Sequence, residues 1–349
     1  MRAFDYDNLP ETLQSPEIVS LLLALREYKG RQELWKRVSP DALDALVQVA
    51  KVQSTESSNR IEGIVTTEGR LKDLMAQKVS PGSRGEREIA GYRDVLTLIH
   101  ENYEGIPVVP GVILQLHRNL MAHTGLEMGG RWKDSDNVIV ARDSRGHSYV
   151  RFRPTPALLT PGAVEQLCET YRRALAAGRF DSLLLTMRFV FDFVSIHPFN
   201  DGNGRMSRLL TVLATERIGY SVARFISLEK LIERNKQLYY EVLAESSQGW
   251  ELGENDEAPF VRFMLGIMLA AYRDLEGRMK DAEKGRTKSE RVRSVFDRRL
   301  GKVSKAMILE ECPDISESTV ELALRGLLEE GFVRKVGRGR GTAYVRSDW

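Results

Sequence analysis

Twelve consecutive residues, 197–208, concentrate side chains that can act on a polyphosphate. They read His-Pro-Phe-Asn-Asp-Gly-Asn-Gly-Arg-Met-Ser-Arg. His197 can accept a proton near neutral pH, and Asp201 supplies hard oxygen ligands that suit Mg²⁺. Gly202 and Gly204 leave the backbone N–H groups unobstructed, so that several of them can point at one anion. We therefore interpret this run as a phosphate-binding loop with a base beside it.

The residues around this run predict the two helices that must position it. Residues 181–196 are largely apolar and are typical of a buried helix. Pro198 cannot continue that helix, so the chain must break near His197. A helical pattern resumes at Arg205, which shares one face with Arg208. The loop thus ends at a helix N-terminus, where the helix dipole favours bound anions.

The run resembles the signature of the Fic (filamentation induced by cAMP) family, written HxFx(D/E)GNGRxxR, and every specified position is present. The resemblance extends over about residues 85–275. It implies a mainly α fold, a helical bundle with a β-hairpin flap. Members of the family mostly transfer AMP from ATP to a Ser, Thr or Tyr hydroxyl of a target protein. A subfamily that phosphorylates instead replaces the second half of the glycine loop by a lysine-containing variant, so Gly204 favours AMP transfer.

The resemblance also implies a role for each residue of the run. His197 would deprotonate the target hydroxyl, and Asp201 would bind Mg²⁺ at the α- and β-phosphates of ATP. Phe199 would anchor the loop in the core. Arg208 would meet the γ-phosphate. The residues that would cradle the phosphates are Gly202, Asn203, Gly204 and Arg205.

A β-hairpin is predicted upstream of the loop. Residues 137–140 and 148–152 are β-rich, and the turn-forming residues 143–146 lie between them. The resemblance implies that this hairpin covers the nucleotide and aligns a target segment by strand addition. The hairpin would bind the backbone of the target segment, so it would have little preference for the target's amino-acid sequence.

Recognition of the base is the least defined part of the implied site. By resemblance, Val138 would touch the adenine, and Tyr239 and Tyr240 stand where relatives place an aromatic pair near the base. A pair of core aromatic residues is an equally good interpretation of the two tyrosines. Where relatives carry an Asn shortly afterwards, this chain has Ser246 and Ser247.

A second motif lies far upstream, at residues 58–63, and fits the pattern (S/T)xxxE(G/N). Ser58 and Glu62 lie four apart on one face of a predicted helix that Gly63 ends. In isolation this is a polar pair at a helix terminus. Upstream of a complete signature it resembles the inhibitory helix of Fic proteins, which implies that Glu62 pairs with Arg208 and leaves ATP misaligned for attack. The same carboxylate could orient a water that removes AMP from a modified protein.

Composition agrees with a multi-domain protein that has no bias toward nucleic acid or membranes. The 349 residues include 51 Lys and Arg against 49 Asp and Glu. No signal-peptide pattern is present at the start, and the longest apolar stretch, 264–272, is too short for a bilayer, so the expected location is the cytoplasm. Cys168 and Cys312 indicate neither a disulfide framework nor a zinc site.

We predict three regions. Residues 1–84 form an N-terminal helical region with the inhibitory helix, residues 85–280 the catalytic core, and residues 287–349 a small α+β domain. Three helices and a hairpin in the last region resemble a winged helix, which makes DNA a candidate partner. However, its third helix carries four glutamates against one arginine, and DNA phosphates disfavour such a face. Docking of a protein or formation of a homodimer is the alternative.

Two classes of function therefore remain open. The first is an enzyme that transfers AMP to protein hydroxyls, its own included, and is restrained by Glu62. The second is a DNA-binding regulator whose Fic core senses a nucleotide. The intact His197 favours the first, since a sensor needs no base. A phosphotransferase, or a transferase that uses another nucleotide diphosphate compound, is a further alternative.

Overall fold

The computed structural model describes residues 2–38, 40–125, 129–142, 147–283, 287–299, 301–337, 339 and 342–347. The predicted hairpin turn at 143–146 and the basic residues Arg338 and Arg340 lie outside this set. The described chain is mainly helical with two short antiparallel strand pairs, which confirms the predicted fold class. Contacts group it into two compact units, Met1–Glu33 with Ala50–Arg273 and Leu34–Val49 with Asp274–Trp349.

The helices of the first unit are α1 to α11, and three of them (α1, α2 and α11) continue into residues of the second. They are α1 (Pro16–Val38), α2 (Pro40–Ile61), α3 (Glu68–Met75), α4 (Arg84–Asn102), α5 (Pro110–Met121), α6 (Thr160–Ala177), α7 (Ser182–Ile196), α8 (Asn203–Arg217), α9 (Leu228–Arg234), α10 (Lys236–Ser246) and α11 (Ala258–Glu283). α7 is buried along nearly its whole length and packs against α6 and α8. A helix that is apolar on all sides has to lie inside the fold.

The helix boundaries follow local capping. Asp181 begins α7 by accepting hydrogen bonds from the N–H groups of Leu183 and Leu184, and Ser83 begins α4 in the same way through Glu86. Such caps satisfy N–H groups that have no partner inside the helix. They place the two helices that border the candidate site.

Two elements differ from the sequence predictions. The helical sequence pattern of residues 228–246 predicts one helix, but the structure interrupts it at Asn235, where the backbone leaves helical geometry (φ −113°, ψ 29°) and the side-chain amide donates to the Leu231 carbonyl. Helix α3 was not predicted. It begins at Thr67, whose hydroxyl accepts from the N–H of Arg70, and it buries Leu71 and Leu74.

The predicted flap is present as an antiparallel pair of β1 (Ile139–Arg142) and β2 (Ser148–Phe152). Its register changes between Ile139 and Val140, which pair with Phe152 and Val150 and leave Arg151 as an extra residue. Such a bulge re-aims the side chain it carries. Several apolar side chains of the hairpin are exposed: Val138, Val140, Tyr149 and Val150.

The second unit contains the elements predicted for the C-terminal region. They are α12 (Lys288–Arg298), α13 (Lys305–Glu311), α14 (Glu317–Glu329), β3 (Val333–Val336) and β4 (Ala343–Arg346). β3 pairs with β4 antiparallel, and a core of mostly aliphatic side chains joins the three helices to β3. The winged-helix assignment stays a prediction. Among the described helices, none has the length and apolarity needed to cross a membrane.

Candidate active site

The loop between α7 and α8 is held in one shape by its own side chains. Asn203 bridges it: the N–H of Phe199 donates to Asn203 Oδ1 at 2.9 Å, and Asn203 Nδ2 donates back to the Phe199 carbonyl at 2.7 Å. His197 ends α7 in the left-handed region (φ 51°), and Gly202 precedes α8 at φ 81°. Both hydrogen bonds of the Asn203 side chain therefore hold the loop together. Its backbone N–H belongs to the first turn of α8, where N–H groups are available to an anion.

A second histidine, His117, packs against the loop and is neutral. The ring of His117 stacks on Phe199 with centroids 3.7 Å apart. Its Nδ1 accepts from the N–H of Gly130 at 3.1 Å, so Nε2 carries the proton and donates to the Asp201 carbonyl at 3.1 Å. Burial lowers the pKa of His117 to about 4, which keeps the ring neutral. Phe199 is fully buried, as the resemblance implied for the loop anchor.

His197 is also neutral at physiological pH. Burial, and after it the nearby charge of Lys133, lowers the pKa of its imidazole to about 4, while Glu62 and Asp201 act in the opposite direction. A neutral imidazole that faces a cleft has a lone pair free to take a proton.

Asp201 offers a carboxylate to the cleft. Its side chain is 39% exposed, Oδ1 accepts from the N–H of Gly202 at 2.6 Å, and Oδ2 lies 3.3 Å from Nη2 of Arg84. Mg²⁺ is commonly held by one or two carboxylates together with substrate phosphates, and this position fits that use. The described residues contain no group of three or more His, Cys, Asp or Glu side chains that could hold a metal by themselves.

Arg205 is paired inside the protein. Its Nη1 lies 2.7 Å from Oε2 of Glu88, and both side chains are buried. Glu88 also accepts from Nε of Arg84 at 2.9 Å. Glu88 thus balances two of the cations that border the cleft, and Arg205 reaches the cleft with its charge largely offset.

Arg208 is bound by the end of α2. Its Nε donates to Oγ of Ser58 at 2.8 Å, and its Nη2 donates to the Ser58 carbonyl at 2.9 Å and to Oε1 of Glu62 at 2.7 Å. Burial lowers the pKa of Arg208, but Glu62, together with Tyr239 and Tyr92, more than offsets this and the net pKa is raised. The structure therefore brings Arg208 together with two residues that lie about 150 positions earlier in the sequence.

A cleft of about 330 Å³ joins these groups. Its lining comprises Glu62, Ile64, Arg84, Glu88, His197, Asn200, Asp201, Gly202, Asn203, Gly204 and Arg205. Glu62 lies directly over Gly204, since a Cβ built at 204 would overlap Oε1 of Glu62. The base, the carboxylate, the N-terminus of α8 and Glu62 thus share one space.

The residues predicted to lie near the adenine have, within the described part of the chain, no contacts that assign them to a nucleotide site. Tyr239 is buried and packs on Phe260 and Phe263, with Arg208 close enough to influence its pKa, which burial raises. Tyr240 is partly exposed, and burial raises its pKa to about 12. Val138 is 42% exposed beside the hairpin. Their roles at the base stay predictions.

The two serines that replace the relatives' Asn take part in local bonds. Ser246 is buried, and its Oγ accepts from the N–H of Phe260 at 3.1 Å. Ser247 donates to the Ala244 carbonyl at 3.2 Å. Both hydroxyls thus take part in hydrogen bonds within this part of the chain.

The sequence did not reveal several residues that shape this site. Arg84, Glu88, His117 and Lys133 come from α4, α5 and the segment before the flap, and none of them stands in a recognisable spacing. The sequence places no other possible metal ligand at a recognisable spacing from His117, which predicts an ordinary surface or core histidine. Only the Ser83 cap, which begins α4, indicates in sequence where two of them lie.

Comparison with known proteins supports the resemblance. Residues 108–215 match the family model described as the Fic/DOC family. The chain is 28% identical over 234 residues to "Protein adenylyltransferase Fic" of Drosophila yakuba, and the match covers 65% of this chain and 42% of that protein. It is 29% identical over 155 residues to the protein of that name from Aedes aegypti. The chain thus spans less than half the length of these curated relatives.

Solved structures share the fold. A Fic family protein from Desulfovibrio desulfuricans G20 has a TM-score of 0.62 at 22% identity, over 95% of this chain and 96% of that one. Fic-1 (aa134 - 508) from C. elegans has a TM-score of 0.59 at 20% identity, over 75% of this chain and 72% of that one. At these identities the likeness concerns the arrangement of the helices.

Proposed function

This chain carries a Fic domain and is a Fic family protein; from that premise we propose that it transfers AMP from ATP to a hydroxyl group of a protein. One observation carries the proposal: neutral His197, the exposed carboxylate of Asp201 and the N-terminus of α8 face the same 330 Å³ cleft. A base, a metal-binding carboxylate and an anion site are the three components that attack at a phosphate requires.

In the proposed reaction His197 takes the proton of the target hydroxyl as that oxygen attacks the α-phosphorus. The new P–O bond joins AMP to the protein, and the bond to the β-phosphate breaks and releases pyrophosphate. The backbone N–H groups from Gly202 to Gly204 are the donors for the phosphate oxygens. Tyr, Ser and Thr hydroxyls all fit this chemistry, and the chain's own hydroxyls are the nearest targets.

Asp201 is the proposed ligand of Mg²⁺. The ion, when bound, would offset the negative charge that develops on the phosphates. For Asp201 to receive it, the 3.3 Å contact with Arg84 has to open, and the exposure of Arg84 permits this movement. Arg84 then keeps its hydrogen bond to Glu88.

We further propose that Glu62 restrains the reaction. It occupies Nη2 of Arg208, the group that the γ-phosphate would otherwise engage, and it lies over Gly204 in the first turn of α8. ATP that lacks this contact binds in a geometry that is poor for in-line attack. The same exposed carboxylate is placed to orient a water, so removal of AMP belongs to the proposal as a second reaction of the site.

The experiment that tests the transfer uses ATP labelled either at the α- or at the γ-phosphate, with Mg²⁺ and the Glu62→Gly chain. We expect covalent label from the α position only, and none when His197→Ala is added. Label from the γ position would indicate phosphoryl transfer. Absence of label from both positions, with ATP still bound, would refute the proposal in favour of a nucleotide sensor.

A further inference from the structure

Lys133 is a buried lysine next to the loop that carries His197, and the proposed reaction does not use it. Its residue exposure is only 3%. Within the described part of the chain it forms no ion pair, and Asp136 is the acidic residue near enough to influence its pKa. Burial of an ammonium group is costly unless hydrogen bonds compensate for lost water. The hydrogen bonds of Lys133 therefore indicate what it does.

Those hydrogen bonds go to the catalytic loop. Nζ donates to the Ile196 carbonyl at 3.3 Å and to Oδ1 of Asn137 at 2.9 Å. The backbone N–H of Lys133 donates to the Pro198 carbonyl at 2.9 Å. Ile196 is the last residue of α7, where carbonyls lack partners inside the helix and the dipole is negative. The ammonium thus acts as a cap for α7.

Asn137 continues the same contact. Its Nδ2 donates to the Phe199 carbonyl at 3.3 Å. The carbonyls that precede and follow His197, those of Ile196, Pro198 and Phe199, are therefore all bound by the segment 133–137. His197 lies between them in the left-handed region, which a residue with a side chain adopts only where its surroundings impose it.

We propose that Lys133 is a positioning residue for AMP transfer: by binding the carbonyls on both sides of His197 it fixes the direction in which the imidazole faces the cleft. The inference rests on the proposed function. It also connects the strand-forming segment of the flap to the base, because residues 133–137 run directly into β1.

The charge of Lys133 acts on the same imidazole. It lowers the pKa of His197 next to the larger effect of burial, and Glu62 and Asp201 oppose it. Burial lowers the pKa of Lys133 itself to about 8, so the ammonium is still mainly charged at neutral pH. The pKa of His197 is therefore a measurement that would not change if Lys133 only filled space.

The test replaces Lys133 in the full-length Glu62→Gly chain. Lys133→Met keeps the aliphatic stem and the backbone hydrogen bond to the Pro198 carbonyl, and it removes the Nζ donor to the Ile196 carbonyl together with its charge. We expect kcat for AMP transfer to fall about 10- to 100-fold with KM for ATP within about threefold, since misplacing a catalytic group affects the chemical step. Lys133→Gln, which keeps a donor, should lose less. A kcat for Lys133→Met within twofold of its parent would overturn the proposal.

Lys29 provides the matched control. Its Nζ donates to the Ile218 carbonyl at 2.6 Å and so caps the C-terminus of α8 as Lys133 caps that of α7. Lys29→Met should leave kcat within about twofold, because this contact is at the far end of α8 from the loop. An equal loss of kcat in Lys29→Met and Lys133→Met would reduce Lys133 to a general stabilising residue.

A second measurement does not depend on activity. NMR titration of the ring of His197, assigned with His197→Gln, should show a higher pKa in Lys133→Met than in the parent. If the parent transfers no AMP, the proposed function fails and this titration alone decides on Lys133. An unchanged pKa and unchanged ring shifts would overturn the inference. Should Lys133→Met not fold, Lys133→Gln supplies the same two readings.

Discussion

At the level of single residues, the pair of Glu62 and Arg208 is the contact with the clearest consequence. Arg208 is buried and has three hydrogen bonds to Ser58 and Glu62. Hydrogen bonds to charged groups contribute about 1.5–3 kcal/mol each where they are buried. The side chain of Glu62 is 32% exposed, so solvent screening reduces its share to about 1 kcal/mol. Such a contact can be displaced by a ligand.

Nucleotide should therefore stabilise the chain more once Glu62 is removed. In Glu62→Gly, the γ-phosphate gains Arg208 as a partner, and binding that is tenfold tighter adds about 1.4 kcal/mol of stability at saturating ligand. We expect a larger rise in Tm with Mg²⁺ and a non-hydrolysable ATP analogue in Glu62→Gly than in the parent. An ADP control lacks the γ-phosphate and should shift both equally. Equal shifts with the ATP analogue would argue against competition at Arg208.

The two neutral histidines make a prediction about pH and stability. His117 and His197 have pKa values of about 4 in the folded chain and near 6.5 when unfolded. Between these values the unfolded chain binds protons that the folded chain does not, so their contribution to stability is lost as pH falls from about 6.5 toward about 4. Glu257, whose pKa burial raises to about 7, acts in the opposite direction.

Comparison of variants isolates the histidine effect. His117→Gln keeps a donor for the Asp201 carbonyl and removes the titrating ring. Its free energy of unfolding should fall less than that of the parent between pH 7 and pH 5, by about 1–2 kcal/mol, in urea titrations at both pH values. His147→Gln, at an exposed position, is the control. The same pH dependence in parent and His117→Gln would contradict the buried neutral state.

At the level of elements, the close approach of α2 and α8 at Gly204 can be tested without any activity. A Cβ at 204 would overlap Glu62, so Gly204→Ala should destabilise the parent by displacing the carboxylate from Arg208. In Glu62→Gly that overlap is gone, and the nearest remaining atom is Nη1 of Arg208 at 3.3 Å. We therefore expect Gly204→Ala to cost clearly less in Glu62→Gly than in the parent in a double-mutant cycle. If the effects of Gly204→Ala and Glu62→Gly on stability are additive, Glu62 does not contact residue 204.

The elements themselves were largely predictable because their signals are local. The apolar run 181–196, Pro198 and the following glycines define α7, the loop and α8 from neighbouring residues alone. The break at Asn235 escaped prediction because the helical pattern continues on both sides of it. Helix α3 carried a usable signal in Thr67, but it is only two turns long, and its stability comes from burying Leu71 and Leu74 in tertiary contacts.

The site was predictable only in part, for a related reason. Its central loop is contiguous in sequence, so the types and spacing of His197, Asp201 and the glycines indicate the chemistry. His117, Glu88 and Lys133 act through contacts with residues 60 to 120 positions away, and a single buried histidine or lysine has no distinctive pattern. Their roles depend on how the helices pack, which one sequence does not contain.

At the level of the whole molecule, the C-terminal region decides between an enzyme and a DNA-binding regulator. Several basic side chains of this unit, among the residues that the structure describes, are paired with its own acids. Lys305 contacts Glu317 and Glu321 on α14, and Arg293 contacts Glu330. Arg291 forms a bidentate pair with Asp314. α14 itself carries Arg325 against Glu317, Glu321 and Glu329, so it has little positive charge to offer to phosphates.

We therefore expect no sequence-independent DNA binding by the full chain. Mobility of a duplex should be unchanged at micromolar protein in low salt, where any basic surface binds most tightly. Lys305→Glu should not alter this result, since no phosphate contact exists to be lost. A shift that weakens with added salt and with Lys305→Glu would instead favour the DNA-binding regulator.

Intact mass spectrometry of the protein after incubation with Mg²⁺ and ATP tests the proposed AMP transfer most directly. We expect Glu62→Gly to gain the mass of one or more AMP groups, the parent to gain less, and Glu62→Gly with His197→Ala to gain none. Modification of the double variant to the same extent as Glu62→Gly would contradict the assignment of His197 as the base. No added mass on Glu62→Gly, with ATP bound and the protein folded, would contradict AMP transfer itself.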